Sequence, residues 1–102
     1  MVLKGIGMIR VVVHYTGRVQ GVGFRWTTAN LARGFAVAGY VMNLPDGTVR
    51  LEAQGRREQV QGLLVAVDQA MAGNIHGKDV AEHPPDPALG DPDRAKSFEI
   101  RR

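Results

Sequence analysis

Apolar and polar positions alternate with period two from Ile9 to Thr16, where Ile9, Val11, Val13 and Tyr15 share one face and Arg10, Val12, His14 and Thr16 the other. Side chains of a strand alternate across its two faces, so this pattern predicts a half-buried first strand rich in β-branched residues. A loop punctuated by Gly17, Gly21 and Gly23 follows, and the period then changes. Phe24, Thr28, Leu31, Ala32 and Phe35 recur at helical spacing, with Gly34 as the expected stop. Val37 to Met42 reads as a second strand. Pro45-Asp46-Gly47 is a strong turn signal, because aspartate and glycine accept positive φ. Thr48 to Gln54 alternates again, with Val49, Leu51 and Ala53 on one face, which predicts a hairpin.

Val60, Leu63, Leu64, Val67 and Met71 mark a second amphipathic helix, with Glu58 in its first turn and Gly73 closing it. Lys78 to His83 is a weaker strand candidate. Pro84 to Pro92 is proline-rich and cannot join a central ladder. Ser97 to Arg101 alternates, with Phe98 and Ile100 expected to face inward. The order strand, helix, strand, strand, helix, strand predicts an α+β ferredoxin-like sandwich (βαββαβ), an antiparallel sheet with two helices on one face. Many unrelated functions use that plan, so it assigns none by itself.

Length sharpens the picture to a single domain over 1–102, with 1–7 expected as a flexible N-terminal extension. No cysteine is present, which excludes disulfides, thiolate zinc sites and a cysteine nucleophile. The net charge of +3 mildly favours anionic partners, but the basic residues form no long run. No stretch approaches the ~20 apolar residues that span a bilayer, and the opening residues lack a signal-peptide core, so the expected location is cytoplasmic. Thirteen glycines are the one unusual count, and they call for a positional explanation.

The clearest chemistry lies in Gly17-Arg18-Val19-Gln20-Gly21-Val22-Gly23-Phe24-Arg25, between the first strand and the first helix. Glycines let a backbone turn with its N–H groups converging on an anion, and a helix N-terminus adds free N–H groups and a favourable dipole. Arg25 at that junction can add a planar fork suited to phosphate oxygens. A plain glycine turn with a solvated Arg25 accounts for the same residues about equally well. Two established phosphate motifs do not fit: Gly21-Val22-Gly23 lacks the third glycine of a dinucleotide fingerprint, and no Gly-Lys-Ser/Thr follows.

Taken together, Gly17 to Arg25 closely resembles the first signature of the acylphosphatase family. Gly39-Tyr40-Val41-Met42-Asn43, Asp46-Gly47-Thr48-Val49 and Gln54-Gly55 resemble the second, and Phe98-Glu99-Ile100 resembles its closing strand. The resemblance implies the ferredoxin-like fold and metal-independent hydrolysis of acyl phosphates to a carboxylate and inorganic phosphate, with no cofactor. It implies that Arg25 and the backbone amides of Gln20, Gly21, Val22, Gly23 and Phe24 bind the phosphate. Asn43 orients the attacking water, and Thr48 supports Asn43. Two departures stand out: Gly23 replaces a bulky aromatic common in the family, and Asn74 to His83 lacks the usual pattern after the second helix.

The remaining candidates read more simply. His14, His76 and His83 match no metal-ligand spacing, so no metal is expected. Trp26 reads as a helix-packing residue, Asp46 as turn chemistry, and Arg56-Arg57 as the solvated start of the second helix. The expected partners are a small-molecule acyl phosphate and inorganic phosphate or a similar anion, with no membrane and nucleic acid disfavoured. A monomer is expected. The alternative is a non-catalytic ferredoxin-like module that binds carbamoyl phosphate or RNA, although only six aromatics are present to stack bases.

Overall fold

The computed structural model of the chain describes residues 7–94 and 97–102. Its elements are β1 (Met8–Gly17), α1 (Phe24–Ala32), β2 (Val37–Asn43), β3 (Val49–Arg56), α2 (Arg57–Ala70), β4 (Ile75–His83), a single 3₁₀ turn at Pro87–Leu89, and β5 (Phe98–Arg101). Most of the extension expected at 1–7 lies outside the described residues. Gly7 is exposed, and its carbonyl accepts the Arg57 amide at 3.0 Å.

The strands form one sheet in the order β4-β1-β3-β2-β5. Each neighbouring pair among the first four is antiparallel, as the ferredoxin-like plan requires. β5 then adds alongside β2 in parallel, which makes the sheet mixed and gives it a fifth strand. The weak strand candidate at Lys78 begins earlier, at Ile75, because β4 pairs with β1 through an irregular step at Thr16/Gly17.

The inward face carries the alternating apolar positions. Val11, Val13, Tyr15, Val41, Val49, Leu51 and Ala53 form one cluster with Phe24 and Ala32 of α1 and Val60, Leu63 and Val67 of α2. The two helices therefore cover the same side of the sheet. At roughly 25 cal/mol per Å² of apolar surface removed from water, that shared layer is the main drive to fold. Tyr15 and Phe24 pack with ring centroids 5.0 Å apart, which ties the start of α1 to β1. Phe98 packs against this core, but Ile100 does not: it stays 39% exposed on β5, a four-residue strand at the edge of the sheet.

The opposite face is polar and knotted around Glu52. Its carboxylate accepts from Tyr40 Oη at 2.7 Å, from Arg10 at 2.7 Å and from Arg50 at 3.4 Å. The Arg101 guanidinium lies 4.0 Å over the Tyr40 ring. Beside this cluster the proline-rich segment folds back onto the sheet. Gln54 donates to the Asp86 and Gly90 carbonyls at 2.9 Å each and accepts the Asp86 amide at 2.8 Å. Among the described residues no helix is long and apolar enough to cross a membrane.

Candidate active site

The site is built where three elements end together. β1 stops at Gly17, and the loop to α1 then turns twice through the left-handed region, at Gly21 (φ 76°) and Gly23 (φ 79°). A side chain at either position would be strained by that φ, and glycines in this region are what allow a loop to gather backbone N–H groups around an anion. Gly23 is also the N-cap of α1, and no side chain among the described residues caps that end. The free amides of the first turn are therefore presented at the head of the helix together with its positive dipole end. An arginine in that first turn is electrostatically unfavourable unless an anion is shared between them.

Asn43 approaches from the other side. β2 continues one residue beyond the expected Met42 and ends on Asn43, which pairs with Val49 across the hairpin. The turn between them is held by the Leu44 amide on the Thr48 carbonyl at 2.9 Å and the Gly47 amide on the Leu44 carbonyl at 3.1 Å. Asp46 Oδ1 accepts both the Thr48 amide at 3.0 Å and the Thr48 hydroxyl at 2.6 Å. These two bonds hold the Asp46 carboxyl below its ordinary pKa.

Gln20 locks the loop to the hairpin. Its side-chain amide donates to the Leu44 carbonyl at 2.8 Å and the Thr48 carbonyl at 2.9 Å. The glycine loop and the strand end carrying Asn43 are thereby fixed to each other. This tie from a glutamine side chain was not legible in the motif, where Gln20 counts only as a backbone donor. Thr48 also differs from expectation. Its hydroxyl is taken by Asp46 rather than by Asn43, so its contribution is to the turn on which Asn43 stands.

Loop, helix start and strand end enclose a cavity of about 200 Å³ lined by Val19, Gly21, Gly23, Phe24, Arg25, Trp26, Asn43, Ile100 and Arg102. Arg25 and Asn43 thus meet in one pocket with Gly21, Gly23 and Phe24 of the loop. Two observations bear on what these residues can do. Arg25 joins no ion pair among the described residues. Asn43 Oδ1 is buried with no hydrogen-bond partner among the described residues, a state that costs about 1–3 kcal/mol unless something approaches it.

The model of the acylphosphatase family matches residues 11–100. The chain belongs to the acylphosphatase family. Acylphosphatase of Methanospirillum hungatei is 36% identical over 73 residues, covering 72% of this chain and 80% of that protein. Acylphosphatase of Salinibacter ruber is 50% identical over 60 residues, covering 59% of this chain and 63% of that one. The crystal structure of acylphosphatase from Bacillus subtilis superposes with a TM-score of 0.76 at 26% identity, over 92% of this chain and 99% of that one. The matched region contains every pocket residue except Arg102.

Three lining residues escaped the reading of the acylphosphatase motifs. Trp26, expected to pack in the helix, is 68% exposed, because its position on α1 points away from the buried Phe24, Thr28 and Ala32 stripe. Ile100 and Arg102 reach the pocket only through the parallel pairing of Met42 with Arg101, which sets the end of β5 beside Asn43. Among the described residues no group of three or more His, Asp or Glu side chains is placed to hold a metal ion. Arg57 is also more than a solvated helix start, since it forms two hydrogen bonds to Glu82 of β4, at 3.0 and 3.1 Å.

Proposed function

We propose that this protein hydrolyses acyl phosphates without a metal, using Arg25 and the Gln20–Phe24 backbone amides to bind the phosphate and Asn43 to aim the water. The observation that carries this reading is the convergence of an unpaired guanidinium, an uncapped helix start and an unpartnered buried amide oxygen in one pocket. Family membership supplies the reaction class. The loop, the start of α1 and the end of β2 supply a way to perform it.

An acyl phosphate carries a good leaving group, a resonance-stabilised carboxylate, so the protein has mainly to position reactants and neutralise charge on the moving phosphoryl group. Loop amides and Arg25 hold the three non-bridging oxygens, and their interaction strengthens as charge spreads over those oxygens. Asn43 Oδ1 accepts a hydrogen bond from water and turns its lone pair toward phosphorus. The water oxygen bonds to phosphorus while the bond from phosphorus to the acyl oxygen breaks, releasing the carboxylate. One water proton passes to a phosphate oxygen, which yields inorganic phosphate. An amide has no basic pKa near neutrality, and the mechanism needs no general base.

The test is hydrolysis of acetyl and benzoyl phosphate by purified protein in EDTA, beside p-nitrophenyl phosphate, whose leaving group differs. Turnover of both acyl phosphates with little release of p-nitrophenol is expected. Rates equal to buffer, with inorganic phosphate still bound, would instead establish a non-catalytic anion-binding module.

A further inference from the structure

The large apolar side chains left exposed among the described residues are Val22, Trp26, Val65, Val80 and Ile100. Trp26 and Ile100 both line the one pocket that holds Arg25 and Asn43, and Val22 stands between its two lining glycines. Exposed apolar groups scattered singly need no explanation, whereas a gathering of them beside a polar site marks a binding surface. Trp26 is the extreme case, 68% exposed on a helix whose other aromatic, Phe24, is fully buried.

The geometry points to an acyl-binding wall: Trp26 and Ile100 receive the acyl part of the substrate and select aromatic or bulky apolar acyl phosphates over acetyl phosphate. The inference rests on the acyl phosphate reading above. With the phosphoryl group drawn to the glycine loop and Arg25, the acyl chain leaves the cradle on the open side. Trp26, one residue after Arg25 on α1, and Ile100, on the β5 end beside Asn43, are the apolar surfaces there. An indole offers a large, rigid face at low entropic cost and stacks well on another ring. Arg102 completes the rim and can lie over an aromatic acyl group as Arg101 lies over Tyr40.

Two measurements test the wall. The first is the ratio of kcat/KM for benzoyl phosphate to that for acetyl phosphate, in wild type, Trp26→Ala and Ile100→Ser. The wild-type ratio is expected near or above about ten, and Trp26→Ala should reduce it by about tenfold, the scale on which apolar pockets discriminate. A ratio cancels any general loss of folded protein. The second uses Trp26 as the chain's single tryptophan. Titration with benzylphosphonate should change its emission and saturate at about tenfold lower concentration than methylphosphonate.

A wild type that turns over both substrates at similar efficiency, with a ratio indifferent to Trp26→Ala, overturns the wall and leaves the hydrolase intact. Succinyl phosphate used better than benzoyl phosphate also overturns it, assigning the rim to Arg102 and an anionic acyl group. A wild type that turns over neither overturns the hydrolase reading and the wall with it.

Discussion

Two parts of this molecule collect arginines, and they treat them in opposite ways. On the open face of the sheet, Arg10 and Arg50 converge on Glu52, Tyr40 donates to the same carboxylate, and Arg101 covers the Tyr40 ring. At the pocket, Arg25 has no such partner among the described residues, and the neighbouring Asn43 oxygen is left unbonded. The first arrangement consumes its charge internally and serves the fold. The second leaves its charge and its lone pair without an internal partner among the described residues, as the proposed phosphate and water sites require. Counting basic residues would not separate the two regions, but the carboxylate at the centre of the first does.

The contrast can be broken most sharply at Arg25. Arg25→Ala should lower kcat/KM for acyl phosphates by about 10³-fold, the scale of a lost phosphoryl-clamping arginine. It should leave thermal stability unchanged or raise it by about 0.5 kcal/mol, because a cation is removed from a helix N-terminus. Asn43→Ala should lower kcat by about 10²-fold, comparable to losing one transition-state hydrogen bond, while KM moves little. A parallel collapse of KM would instead make Asn43 a phosphate-binding group. Gln20→Ala breaks the tie between loop and hairpin, and is expected to cost roughly tenfold in kcat/KM through misplacement, with about 1 kcal/mol of stability.

Glu52 should behave in reverse. Glu52→Ala is expected to lower stability by about 2 kcal/mol, since it strands a half-buried Arg10 and the Tyr40 hydroxyl, and kcat should hardly change. Melting would fall by roughly 10 °C in a domain of this size. The smallest effect is one of pH. Burial pushes the Glu52 carboxyl upward, but hydrogen bonds from Tyr40 and Arg10 and the charges of Arg10 and Arg50 together outweigh it and hold the group below its ordinary 4.5. A carboxyl depressed on folding adds stability that is complete above its unfolded value and disappears as pH falls through the folded one. Wild type and Glu52→Gln should therefore differ in denaturant midpoint above pH 4.5 and converge in stronger acid. Parallel curves down to low pH would contradict the role assigned to Glu52.

Both halves of this comparison were only partly legible in the amino-acid order. Periodicity located β1, α1, the β2–β3 hairpin and α2, because each long element repeats its own pattern over many residues. Arg25 and Asn43 stood out because they lie in two long motifs. β5 was harder: four residues carry little periodicity, and its parallel pairing with β2 joins segments some sixty residues apart, as the Ser97 hydroxyl on the Val37 carbonyl illustrates. Ile100, Arg102 and the exposure of Trp26 became visible only once that edge was in place. Glu52 occupies an outward strand position that alternation assigns to solvent. It is buried because Arg10, Tyr40 and Arg50 reach it across three strands, which no local pattern records.

If the pocket directs water onto phosphorus as proposed, hydrolysis of benzoyl phosphate in ¹⁸O-labelled water shows it most directly. The label is predicted in the inorganic phosphate, with none in the benzoate beyond the uncatalysed background. Label in the benzoate would place the attack at the acyl carbon and contradict the roles given to Arg25 and Asn43.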